Sequence, residues 1–327
     1  MFSRLLVPLD GSPTAAQAIP YVTALARAFG SHVDLLSVIE PTPDWPGSPR
    51  AATDEAGERA RTLAAAYLGD IADRLHGEGF VVSADVRHGN AAATILTAAA
   101  ERDCSLIVMA THGRSGFDRV RVGSVTQHVL RHAPIPTLVV RADGRAPSEG
   151  EATITEITVT LDGSVVAEQA LPVATALADA LHVPLTLLEV MPNYYYSSYA
   201  WPGMAYASTP EQDRDEEQAV AAYLTETADG LRASGRDIRT LWRRSMTNRA
   251  DPVILSYLSD RPSGLVVMAS HGRGGIKRWV LGSTTEAVAA QPPCAVLVVR
   301  ADTTGDTASP PQGEAAQRAE THVPVIA

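Results

Sequence analysis

The strongest constraint on this chain is a stretch that occurs twice. Residues 106–126 read Leu-Ile-Val-Met-Ala-Thr-His-Gly-Arg-Ser-Gly-Phe-Asp-Arg-Val-Arg-Val-Gly-Ser-Val-Thr, and residues 265–285 read Leu-Val-Val-Met-Ala-Ser-His-Gly-Arg-Gly-Gly-Ile-Lys-Arg-Trp-Val-Leu-Gly-Ser-Thr-Thr. Each copy opens on a short apolar run that suits a buried strand. A basic, glycine-rich loop follows, and Gly-Ser then leads into a periodic segment that suits a helix start. A strand, a glycine loop and a helix N-terminus in that order make a cradle for an anion, most naturally a phosphate.

The remaining pattern supplies a scaffold for each loop. Arg4–Leu9 reads as a buried strand. Asp10-Gly-Ser-Pro13 is its turn, with Ser12 placed to cap a helix and Pro13 at the first helical position. A helix is expected over Ala15–Phe29, stopped by Gly30, then a strand over His32–Ile39. The proline-rich Pro41–Pro49 is a loop, Thr53–Leu75 a long amphipathic helix, and Phe80–Arg87 an alternating strand. Gly89-Asn90 makes a turn into a helix over Ala91–Ala100. Ser105–Met109 is the next strand, Ser124 to about Arg131 a helix ended by Pro134 and Pro136, and Thr137–Arg141 a fifth strand. Strands alternating with helices predict an α/β fold, a parallel sheet with helices on both faces. The near-continuous apolar strands agree with burial on both sides.

The pattern then restarts. Ile157–Ser164 repeats Leu5–Ser12, and Ala167–Pro172 repeats Ala15–Pro20, at an offset of 152 residues. At the glycine loop the offset is 159, with Gly113 on Gly272 and Gly123 on Gly282. The added residues fall in the Tyr-rich insertion Asn193–Tyr206, which reads either as a lid or partner surface or as a packed Ω-type loop. The period is too long and the copies too few for a solenoid, so this is duplication of a whole domain. The expected organisation is a first domain over 1–141, a linker and restart over 142–155, a second domain over 156–300, and a disordered tail over 301–327.

Composition narrows the chemistry. The chain has 327 residues, which suits about two domains of roughly 150 residues. Its net charge of -10 argues against general nucleic-acid binding, because surplus Lys and Arg are what neutralise phosphates. No apolar run approaches the roughly 20 residues that span a bilayer, and the N-terminus lacks a signal-peptide pattern, so a cytoplasmic protein without membrane partners is expected. Cys104 and Cys294 show no metal spacing and read as reduced, buried thiols.

Within the repeated loop the shared core is Gly-x9-Gly-Ser: Gly113 to Gly123-Ser124, and Gly272 to Gly282-Ser283. Glycine there lets a backbone approach a ligand or take positive φ. The serine hydroxyl, the helix N–H groups and the positive dipole end add anion affinity. Arg114, Arg119 and Arg121, or Arg273, Lys277 and Arg278, add charge. The loop is neither a Walker A loop nor a GxGxxG fingerprint. Asp10 and Asp162 end the first strand of each half, where ligands bind in doubly wound sheets. Each could hold a ribose hydroxyl, an adenine amino group or a metal-bound water, or simply form an Asx turn. His112 and His271 could touch phosphate or brace the loop. No nucleophile elbow, HExxH or paired acid and base is present. Catalytic residues are therefore not expected, and helix capping accounts for Ser124 and Ser283 without chemistry.

These residues resemble the universal stress protein family, in its tandem two-domain form, over about residues 3–141 and 156–300. The family's motif G-x2-G-x9-G-[ST] is matched from its second glycine onward in both halves; Ala110 and Ala269 stand at the first. The resemblance implies two five-stranded sheets of order 3-2-1-4-5. It also implies fifth strands, Thr137–Arg141 and Ala295–Arg300, that pair within the chain as a pseudo-dimer. Pairing of whole chains into a homodimer and an unidentified protein partner are further expectations. It implies ATP as ligand, accompanied by Mg2+. Pro8, Leu9 and Asp10 would lie by the adenosine, with Val38 beside adenine. Met109, Ala110, Gly113 and Arg114 would line ribose and phosphates, and Gly123, Ser124, Val125 and Thr126 would hold the phosphates. The second set is Thr160, Leu161, Asp162, Val190, Met268, Ala269, Gly272, Arg273, Gly282, Ser283, Thr284 and Thr285. The function implied is ATP-gated stress regulation. Slow hydrolysis or autophosphorylation at Ser124 or Ser283, or a nucleotide-free interaction module, are the alternatives.

Overall fold

The structure is a computed structural model that describes residues 1–41, 50–112, 123–142, 152–191, 209–232, 235–247, 249–271 and 281–301. The loop glycines Gly113 and Gly272, the basic loop residues with Arg114 and Arg273, the Tyr-rich insertion and the expected tail lie outside these.

The first repeat runs β1 (Arg4–Pro8), α1 (Pro13–Ala16), α2 (Ile19–Phe29), β2 (His32–Ile39), α3 (Arg50–Gly77), β3 (Val81–His88), α4 (Ala91–Glu101), β4 (Leu106–His112), α5 (Ser124–His132) and β5 (Thr137–Ala142). The second runs β6 (Glu156–Leu161), α6 (Val165–Glu168), α7 (Leu171–Leu181), β7 (Leu185–Met191), α8 (Pro210–Arg232), β8 (Ile238–Arg244), α9 (Asp251–Ser259), β9 (Gly264–Ala269), α10 (Ser283–Ala290) and β10 (Ala295–Val299). The strands form one ten-stranded sheet in the order β3-β2-β1-β4-β5-β10-β9-β6-β7-β8. Each half therefore has the order 3-2-1-4-5. Pairing is parallel within each half, and β5 meets β10 antiparallel, with Val139 opposite Val296 and Leu138 opposite Leu297.

Local chemistry explains where elements break. One helix was expected over Ala15–Phe29, but the structure has two, α1 and α2. Pro20 has no N–H to give and its ring would clash with the carbonyl at residue 16, so the chain restarts at Ile19 with Pro20 at its second position. Pro172 does the same between α6 and α7. Ser12 caps α1 as expected, its Oγ accepting from the N–H of Ala15 at 3.1 Å. Gly30 closes α2 at φ 64°, and the corresponding residue of the second half, His182, takes φ 55°.

Apolar side chains cover both faces of the sheet. One core crosses both repeats and joins Leu5, Val7, Leu106 and Leu138 to Ile157, Val159, Leu265 and Leu297 beneath α2, α3, α7 and α8. On the other face a second cluster takes Leu130 and Val139 from the first repeat and Val266, Val288, Val296 and Val298 from the second. Burying each such side chain contributes on the order of 2 kcal/mol. Because the same face of both halves lies on the same side, the halves are related by a two-fold axis normal to the sheet. Their strands then point opposite ways, and the two sets of strand carboxyl ends lie at opposite edges.

Candidate functional site

The chain leaves β1 for β2 on one side and returns to β4 on the other, so a crevice opens at the carboxyl ends of these strands. The structure has a cleft of about 230 Å3 there. Pro8, Leu9 and Asp10 supply its floor from the end of β1, and Leu36 and Val38 one wall from β2. Met109 and Ala110 line it from β4, and Gly123, Ser124, Val125 and Thr126 close it with the first turn of α5. Every described residue that the resemblance assigned to the first site lines this one cleft. Ser12, Thr14, Ala15, Leu36, Ala91, Ile95 and Thr111 also line it. Of these, Ser12 carried a sequence signal as a cap, whereas Ala91 and Ile95 arrive only through the packing of α4.

The polar end is built from α5. Its N-cap is Gly123, without a side-chain cap, so Ser124 is the first helical residue and stays exposed. Helix capping therefore does not account for the Ser124 hydroxyl, contrary to expectation, and Ser283 behind Gly282 is the same. The glycines are not used for positive φ either: Gly123 has φ -54° and Gly282 φ -59°. A Cβ at Gly123 would meet nothing within 4 Å, so the fold does not require glycine there and the space belongs to the cleft. Ala110, at the motif's first glycine, sits inside β4 opposite Val140 with ordinary strand geometry. β4 extends to His112, beyond the expected Met109, because the pairing with β5 continues to Ala142.

Asp10 forms the Asx turn, its Oδ1 accepting from the N–H of Ser12 at 2.9 Å. It still faces the cleft. Tyr67 of α3 has its hydroxyl buried without a hydrogen-bond partner among the described residues. Burial first, and the Asp10 charge second, raise the Tyr67 phenol above its ordinary pKa.

In the second repeat Thr160, Leu161 and Asp162 end β6, Val190 lies on β7, and Met268 and Ala269 end β9. Gly282, Ser283, Thr284 and Thr285 open α10. Thr285 Oγ1 donates to the carbonyl of Ala269 at 2.9 Å, and the N–H of Gly282 donates to that of Ser270 at 2.7 Å. His271 is buried, with Nδ1 3.0 Å from Ser270 Oγ, and its Nε2 is buried without a hydrogen-bond partner among the described residues. Burial first and Arg300 second push its pKa down. Among the described residues no group of three or more His, Cys, Asp or Glu could hold a metal.

A doubly wound domain with a crevice between β1 and β4 and a helix start at its polar end defines an α/β module with a candidate ligand site at its strand ends. The universal stress protein family model matches residues 1–141 and again 153–300, and the chain belongs to that family. It is 27% identical over 302 residues to a universal stress protein of Mycolicibacterium smegmatis, covering 90% of this chain and 96% of that one. A Thermus aquaticus universal stress protein is 32% identical over 146 residues, 43% of this chain and the whole of that one. Among solved structures, a universal stress protein from Archaeoglobus fulgidus has the same fold, with a TM-score of 0.66 at 20% identity, over 92% of this chain and 99% of that one.

Proposed function

We propose that the chain is an ATP-binding regulatory protein of the stress response, acting by ligand-gated conformational bias, in the cytoplasm. The observation that carries this is the cleft itself. It joins an apolar wall to an uncapped helix start, with a carboxylate between them. Leu36, Val38 and Met109 offer the faces on which an adenine could stack. Asp10 can accept from a ribose hydroxyl. The N–H groups at the start of α5, together with its dipole, can hold phosphate oxygens. The volume of about 230 Å3 lies below the roughly 300 Å3 usual for a full ligand pocket, which fits a nucleoside held inside with its phosphates at the mouth. Mg2+ would accompany the phosphates from solution.

Denaturing the purified protein and identifying released nucleotide tests this directly, together with ATP titration by calorimetry. Bound adenine nucleotide, weakened about tenfold by Asp10→Ala, is expected from loss of a charge-assisted hydrogen bond of about 1.5 kcal/mol. No released nucleotide and no heat at millimolar ATP overturn it. A second reading, phosphoryl acceptance by Ser124, is favoured by the exposed, non-capping hydroxyl in the cleft. It requires label from γ-labelled ATP to enter the protein and to be lost in Ser124→Ala.

A further inference from the structure

We infer that nucleotide enters the first repeat alone, because the second repeat has turned the corresponding groups on one another. This rests on the proposed ATP binding and goes beyond it by assigning unequal roles to two repeats that carry the same motif.

The first observation is at the loop end. The N–H of Gly282 is aimed at the Ser270 carbonyl at 2.7 Å, where it ties the start of α10 back to the end of β9. The preceding Leu281 is 3% exposed and packs into the core with Val288 and Met268. In the first repeat the equivalent pair, Gly123 and Thr111, both line the open cleft. An amide engaged by a carbonyl is not available to a phosphate oxygen, and an oxygen brought there meets the carbonyl's partial negative charge.

The second observation is at the carboxylate. Asp162 Oδ1 accepts from both the N–H of Ser164 at 3.1 Å and its hydroxyl at 2.6 Å. Asp10 Oδ1 accepts from the N–H of Ser12 at 2.9 Å; both serine hydroxyls accept from a helix N–H, Ala15 or Ala167, at 3.1 Å, and the Ser164 hydroxyl donates to its aspartate as well. A ligand hydroxyl approaching Asp162 therefore competes with an internal donor pair, one of them a short O–H bond.

The third is charge. Ala16 and Ser37 of the first repeat align with Glu168 and Glu189 of the second. Glu168 stands in α6, the counterpart of the α1 turn that walls the first cleft, and Glu189 precedes Val190. Tyr223, counterpart of Tyr67, gives its hydroxyl to Glu168 at 3.0 Å. The Tyr67 hydroxyl is buried without a hydrogen bond among the described residues. Neither Ala16 nor Ser37 lines the first cleft, so the two added carboxylates lie behind its counterpart and act on a polyanion through charge alone, and the second repeat's phenol is satisfied. The first has neither carboxylate.

Stoichiometry and location together test this on the full chain. Titration with ATP should give one nucleotide per chain. A photoreactive azido-ATP should label peptides from residues 1–141 and leave those from 156–300 unlabelled. Asp10→Ala should weaken the whole of the ATP titration about tenfold, leaving no fraction of sites at wild-type affinity. Gly123→Val, which places methyl groups in open cleft space, should do the same with the melting temperature held within a few degrees. Two nucleotides per chain, label in the second repeat, or half of the sites keeping wild-type affinity after either substitution would overturn the inference and leave ATP binding standing. Absence of binding by the wild-type chain would overturn both.

Discussion

At the scale of single residues, the position least visible in the sequence is Asp34. It lies in the middle of an apolar strand, and its side chain is fully buried. Four groups hold it: Arg4, Arg102 at 2.9 Å, the Ser83 hydroxyl at 2.7 Å, and His32 nearby at 3.8 Å. Burial alone would raise its pKa; the hydrogen bonds from Arg4 and Ser83 and the charges of Arg4 and Arg102 reverse that and hold it below 3.8. Local periodicity cannot reveal this, because the partners come from β1, β3 and the end of α4. The second repeat solves the same corner with the charges exchanged, Glu156 on Arg261 at 3.2 Å. Asp34→Asn should cost about 3 kcal/mol in urea denaturation, since it leaves arginines facing a neutral amide. With a folded pKa below the unfolded one, the carboxylate's contribution is complete above about pH 4 and is lost as pH falls through the folded value. Wild type should therefore lose stability below pH 4 more steeply than the Asn variant. The buried thiols, in contrast, follow the sequence reading. Burial lifts Cys104 to about 11 and Cys294 to about 12, so neither should react with a thiol reagent at pH 8 until denaturant is added.

At the scale of elements, hydrophobic runs and turn residues located the strands and helices well, because β1, β4 and β9 are buried on both faces and bounded by breakers. What local pattern missed was decided elsewhere. β4 continues through Ala110, Thr111 and His112 because Val140, Arg141 and Ala142 are there to pair with them. The site followed the same division. The strand ends and the Gly-Ser helix start were legible as a repeated motif. Ala91 and Ile95 were not, since only the packing of α4 brings them to the cleft. The helix C-caps give a paired test. Gly30 and His182 occupy one position in two repeats, both left-handed, and only glycine takes that region without strain. Gly30→Ala should destabilise by about 1 kcal/mol and His182→Gly should stabilise by a similar amount. Equal and small effects at both sites would mean that local strain is relieved by neighbouring backbone.

At the scale of the molecule, the duplication was legible, and the resemblance implied its consequence, the pairing of the fifth strands. Two like domains could have been joined by their linker alone. Instead β5 and β10 fuse the sheets, and Leu138, Val139, Val296 and Leu297 are each no more than 1% exposed. The same axis brings the two loop helices side by side. Gln127 and Glu286 occupy one position in the two repeats and bond to each other at 2.9 Å, and Arg131 joins Glu286 from the same helix as Gln127. That ion pair is half exposed and contributes about 0.5 kcal/mol or less. The fused strands and the clusters over them carry far more. Leu297 packs in the core that crosses both repeats, so Leu297→Ala should cost about 3 kcal/mol. The cost should be shared. Native-state amide exchange should show β1 of the first repeat and β6 of the second losing protection together, because neither half can keep its fifth strand covered without the other. Loss confined to β6, with β1 still protected, would show that the first repeat folds on its own and that the fused sheet is a contact rather than a single cooperative unit.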